Sequence, residues 1–271
     1  MRFAPQERCE PLEPRIQVLA RAMENESVET IKTLAKIILE STLQPDKKCA
    51  LLIAPSLDNN PALHRAFQNG KSAAVEVFSK IILDSELPPV EKFNILAARN
   101  QCGASGLSSA FRNETNNTNN TIQVFVEAIS ESNLPLNTKI ELLIAKDSNG
   151  CPELFKALLH NDIKGVLSFS KAVLKSRLPP TEKVTLLTAK MNGFPGLAWP
   201  LELHHSEMLT LFVNTVLESS LQPDEKLKCL KVTTPDGTLV WDHVLQKQPG
   251  NTTAIEFAKV ISDLDLQFAK K

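Results

Sequence analysis

The stretch Glu202-Leu203-His204-His205-Ser206-Glu207 is the one place where potential metal ligands crowd together in this chain. A zinc site needs three or four ligands converging on one point. Adjacent histidines point in different directions on a helix, and no second ligand group accompanies them, so no metal site is expected. The five cysteines, Cys9, Cys49, Cys102, Cys151 and Cys229, are odd in number, far apart and without a CxxC pair. That pattern reads as reduced thiols in a cytosolic setting. A Cys/His nucleophile pair would have to be assembled from distant residues, for instance near Cys151 or His204. Neither the GxGxxG nor the GxxxxGK[ST] phosphate loop occurs, nor HExxH, nor GxSxG. The expectation is therefore no catalytic residue, no metal and no cofactor, with an enzyme site assembled across repeats as the alternative.

Composition narrows the partners. Across 271 residues the net charge is −1, and there is no tyrosine. No bulk field recruits nucleic acid, and the stacking platforms of single-strand binders are missing, so nucleic-acid binding is not expected. No apolar run is long enough to span a bilayer, so membrane insertion is not expected. The charged start, MRFAPQERCEPLEPR, has no apolar core and does not read as a Sec signal peptide. Sequons such as Asn113-Glu114-Thr115 then read as polar loop chemistry.

A repeat organises the rest. Leucine anchors recur at Leu43, Leu87, Leu134, Leu178 and Leu221, with a degraded sixth at Leu266; the spacings are 44, 47, 44, 43 and 45. A fixed period in this range is the signature of a stacked array. Two residues before each full anchor stands a serine: Ser41, Ser85, Ser132, Ser176, Ser219. Nine before stand Leu34, Phe78, Phe125, Phe169 and Phe212, then Phe257. With Ile38, Ile82, Ile129, Val173 and Val216 at five before, these offsets line one helical face. The phenylalanines are core positions. The serine falls in the last turn, where it can bond a backbone carbonyl. Prolines such as Pro88-Pro89 and Pro179-Pro180 then end that helix and open the next.

Five residues after each anchor is a lysine: Lys48, Lys92, Lys139, Lys183, Lys226. Either these lysines pair with the acids Glu40, Asp84, Glu131 and Glu218, or they reach the carbonyl end of the preceding helix. Turn residues and a short helix complete the unit, as in DNNPALHRAFQNG from Asp58. The run NETNNTNNT from Asn113 reads as a polar loop between helices. The predicted architecture is all-α: a lead-in over 1–18 and a repeat array over 19–271. Its units are approximately 19–62, 63–106, 107–153, 154–196 and 197–240, with a partial 241–271.

One row on the short helix varies while the core positions hold: Arg21, Arg65, Ser109, Lys156, Trp199 and His243. Aromatic and arginine side chains anchor interfaces. The partner-binding candidates are Trp199, Phe194, Arg65, Lys156, His204 and His205. For Trp199 the competing reading is filler between units; Arg65 and Lys156 read equally as solvated charges. His64 and Trp241 read as structural.

NNPALHRAFQNGKSAAVEVF, from Asn59, resembles the ankyrin pattern in its turn, its Pro-Leu-His tripeptide, its Asn-Gly turn and its second helix. It departs in length, because the extra residues form the LPPxEKxxLLxA helix. The longer form is similar to ankyrin-like arrays of type III secretion effectors, as in OspC-type ADP-riboxanases and enterotoxin-type cysteine-protease effectors. The resemblance covers the chain from about Leu19 and leaves no stretch for a catalytic domain, so neither activity carries over. It implies a right-handed ankyrin-like solenoid of about five three-helix repeats. It further implies a monomer, secreted by a bacterium into host cytoplasm, that recognises a host protein. A bacterial cytoplasmic adaptor is the other non-enzymatic reading.

Overall fold

The computed structural model describes residues 13–53, 60–112 and 118–269, and among these the chain is all-α but for one two-stranded hairpin. Helices come in threes. The first unit is α1 (Glu13–Glu24), α2 (Val28–Glu40) and α3 (Pro45–Ile53); the second is α4 (Ala62–Gln68), α5 (Ser72–Asp84) and α6 (Pro89–Leu96). Next follow α7 (Gly106–Arg112), α8 (Thr118–Glu131) and α9 (Leu136–Ile144), then α10 (Glu153–Leu159), α11 (Ile163–Lys175) and α12 (Pro180–Leu187). The hairpin β1 (Lys190–Met191) and β2 (Phe194–Pro195) precedes α13 (Ala198–Glu202), α14 (Ser206–Leu217) and α15 (Pro223–Leu230); α16 (Val240–Lys247) and α17 (Thr252–Ala269) close the chain.

Each helix packs on its equivalents in the neighbouring units. The short first helices form one row, with α1 on α4, α4 on α7, α7 on α10, α10 on α13 and α13 on α16. The middle helices α2, α5, α8, α11 and α14 form a second row, and the third helices α3, α6, α9, α12 and α15 a third. The rows are tied by diagonal contacts between a short helix and the next unit's middle helix. Phe125 meets Phe67 edge-on at 5.1 Å, and Phe169 meets Phe111 at 5.4 Å. Phe78, Phe125, Phe169 and Phe212 are all fully buried. Burying one such ring contributes about 1.5–3 kcal/mol, and an aromatic pair adds ~0.5–1.5 kcal/mol.

The break between second and third helices follows one chemical plan. The serine backbone turns extended, with φ −69° and ψ 165° at Ser85. Its hydroxyl donates to the carbonyl three residues back, 2.7 Å from Ser85 to Ile82, and accepts the anchor N–H, 3.4 Å from Leu87. That leaves the Leu83 carbonyl without its usual helical donor. Lys92 Nζ donates to it at 2.6 Å. Lys48, Lys139, Lys183 and Lys226 donate in the same way to Leu39, Ser130, Leu174 and Leu217, at 2.6–3.0 Å. Of the two sequence readings for these lysines, the carbonyl clamp is the one observed. The acid ladder is not formed.

Two further expectations change. Thr118–Thr121, the tail of the polar run, begins α8 rather than lying in a loop, and Thr121 is fully buried; residues 113–117 lie outside the described ones. At the C-terminal end, α17 has leucine at the place of the repeating serine, Leu264, and no proline after it. The supposed sixth anchor, Leu266, lies within that helix, 61% exposed.

Candidate partner-binding surface

Between the third helix of one unit and the short helix of the next, the chain makes a tight turn. Gly103, Gly150, Gly193 and Gly237 occupy its left-handed position, with φ from 74° to 85°. Asn100 and Asp147 brace their turns by accepting two backbone N–H groups each. The residue after the glycine is Ala104, Cys151, Phe194 or Thr238. Ala104 and Cys151 are buried, whereas Phe194 is a large ring left half-buried. It lies edge-on to Trp199 at 6.3 Å and to His243 at 5.4 Å, and Trp199 in turn meets Phe155 at 6.4 Å.

This aromatic edge runs across three units and is half-exposed at Phe194, Trp199 and His243. Its polar atoms are unsatisfied: Trp199 Nε1, His243 Nε2 and, at the start of α14, His205 Nδ1 are buried without a hydrogen-bond partner among the described residues. Each such atom costs about 1–3 kcal/mol relative to a bonded one. Departures of this kind concentrate where a protein does something other than fold.

The other candidates sit differently. Arg65 is not a solvated charge: its Nε donates to Glu24 Oε1 of the preceding unit at 2.9 Å. Nor is Lys156, whose ammonium pairs with Asp147 at 3.2 Å and with the buried Glu153. The row that varies in sequence thus makes junction contacts, and Ser109 continues it by bonding His64 Nε2 at 3.0 Å. His204 is exposed, with φ 59°. Its place is that of Glu26, Gly70 and Asn161, the left-handed turn between first and second helices. His205 follows as the residue before α14, and burial lowers its pKa. Sequence reasoning missed His243 as a member of the edge. The signal was present in the 44-residue spacing from Trp199, but the bridging ring, Phe194, stands at a turn position where the other copies have Ala104, Cys151 and Thr238, so no repeat of rings marks it.

Three of the described thiols, Cys49, Cys151 and Cys229, are buried. Burial, and then Asp147, raise the pKa of Cys151. Burial pushes Cys229 up to about 12, and burial with Glu91 does the same to Cys49. A raised pKa suppresses the thiolate that would attack. Asp147 would be raised by burial, but the N–H of Cys151, then Lys156 and the N–H of Asn149 outweigh it and hold the carboxyl below its ordinary range. Among the described residues, no three His, Cys, Asp or Glu side chains converge on one point. No described helix is long and apolar enough to cross a membrane. A cleft of about 750 Å³ opens between α6 and α9, with Phe93, Ala97, Leu136, Ile140 and Ile144 along it.

Compared with known proteins, the chain matches no family model and no curated protein.

Proposed function

We propose that the chain is a protein-recognition scaffold, an ankyrin-like right-handed solenoid of three-helix units that binds a host protein as a secreted bacterial effector or as part of one. One observation carries the recognition reading. At a turn position held elsewhere by Ala104, Cys151 and Thr238, the turn leading into the fifth unit places Phe194 against Trp199 and His243, half-exposed and with ring nitrogens unsatisfied. Half-exposed aromatic clusters are the anchors of protein interfaces. The serine and lysine rows, by contrast, are consumed in closing helices. The host and the secretion route come from the resemblance to effector arrays.

The test returns the fifth unit to the pattern of its neighbours. Phe194→Ala copies Ala104, and Trp199→Ser copies Ser109. The wild-type chain is expected to retain a protein from host-cell extract that bacterial extract does not yield. The double variant is expected to lose at least about tenfold in affinity for it, the loss of one interface anchor, with an unchanged melting curve. Equal retention by a folded double variant would end the claim for this edge. Retention only from bacterial extract would favour the adaptor.

A further inference from the structure

A second row of cations runs through the interior units. Twelve residues after the anchors Leu87, Leu134 and Leu178 stand Arg99, Lys146 and Lys190, all exposed, where the chain leaves the third helix for the turn. Unlike the clamp lysines, they close no helix. Arg99 donates to the Gly103 carbonyl at 2.6 Å. The ammonium groups of Lys146 and Lys190 have neither a hydrogen bond nor an ion pair, and no acid pairs with Arg99. In the next unit the same place is Thr233, and the nearby Lys231 is taken up by Asp265 at 2.7 Å. The row therefore belongs to three consecutive units.

Those are also the units whose third helices stand apart. Arg99 and Lys146 line the cleft of about 750 Å³ between α6 and α9, and Lys146 and Lys190 line a second, of about 370 Å³, between α9 and α12. The walls are apolar: Phe93, Leu136 and Ile140 in the first, Leu143 and Ala189 in the second, with Ile144 shared. Leu136 is 40% exposed. Among the described residues no acid lines the second cleft. In the first, Asp147 is paired with Lys156 at 3.2 Å. Glu182 lies in the first turn of α12, at the far end of that helix from Lys190, and Glu141 is exposed on α9. The turn side of both clefts thus carries unpaired positive charge beside unfilled apolar walls.

We infer that this face binds an acidic segment of a partner protein, with a carboxylate against each of Arg99, Lys146 and Lys190 and an apolar side chain in each cleft. Packed helices stand about 8–10 Å apart, so the cations recur at roughly that interval. Seven residues of helix or three of extended chain match it. A nucleic-acid backbone would meet the cations and leave the clefts unfilled. The site is separate from the aromatic edge, since neither Phe194 nor Trp199 lines either cleft.

Selection of a phage-displayed library of random peptides on the full chain tests this. The selected peptides are expected to be rich in Asp and Glu, with Leu, Ile or Phe at regular intervals. The tightest of them, made synthetically, is expected to weaken as sodium chloride rises from about 50 to about 500 mM. Arg99→Gln/Lys146→Gln/Lys190→Gln is expected to bind it at least about tenfold more weakly, and Leu136→Ser several-fold more weakly, both with unchanged melting curves. Phe194→Ala/Trp199→Ser is expected to bind it as the wild type does, so failure here and failure of the aromatic edge are told apart. A library that yields no binder, binders without an excess of acids, or equal binding by the folded triple variant overturns the inference. So does flotation of the wild type, but not the triple variant, with phosphatidylserine vesicles when no acidic peptide is selected; that result assigns the row to a membrane surface.

Discussion

His205 is held in its neutral form by burial, which lowers its pKa from the ordinary 6.5. The unfolded chain therefore binds a proton more readily at this site than the folded one. The stability it contributes is complete above pH 6.5 and is lost as pH falls through the lowered folded value. His205→Asn, which puts before α14 the residue that Asn251 places before α17, removes the titration. Urea midpoints at pH 7.5 and pH 5 should fall further for the wild type than for the variant; an equal fall would remove His205 as the cause. At this scale the sequence was readable in part. Phe194 and Trp199 stood out as large residues breaking a pattern, and Trp241 was recognisably core, 7% exposed against Phe257. The roles of Arg65 and Lys156 were hidden. The glutamate that binds Arg65 is 41 residues away, and no local rule tells a junction ion pair from a solvated charge.

Among the elements, the break between second and third helices is the most regular device. Serine folds back on the helix, proline forbids its continuation, and lysine returns nine residues to the carbonyl left open. The period revealed the members of this device but not their bonding, since a lysine near a helix end has both acids and carbonyls in reach. Only backbone geometry decides: the anchor N–H has gone to the serine hydroxyl, so the carbonyl takes the ammonium. Lys183 is the most buried of the five, 8% exposed, and burial lowers its pKa. Lys183→Met keeps the apolar stem and removes the donor. It should cost about 1.5–3 kcal/mol, the range for a hydrogen bond to a charged group, read as a shift in urea midpoint with unchanged slope. A cost below about 0.5 kcal/mol, the level of a surface substitution, would show that the clamp contributes nothing. The sixth unit shows the same rule by omission. It has leucine, Leu264, two residues before Leu266 where the other copies have serine, no proline follows the anchor, and α17 runs on for 18 residues.

For the whole molecule, the account reduces to equivalence: an interior unit can stand where another stands, because the same core positions face the same neighbouring helices. Period and helical face were legible from the leucine, serine and phenylalanine rows. The pairing of rows was not, because it depends on which short helix meets which middle helix across a unit boundary. Stability in such an array is a sum of units and junctions, so one complete period can be removed without dissolving the rest. Deleting 125–168 takes out 44 residues and puts Phe169 in the place of Phe125, against Phe67 instead of Phe111. Equilibrium urea unfolding of that spliced chain, followed by circular dichroism, is the most direct measurement. A single cooperative transition is predicted, with helical signal per residue unchanged and a slope reduced by about one sixth, in proportion to the surface lost. A spliced chain without cooperative unfolding would contradict the account, because a fold that needs every segment is not an array of interchangeable units.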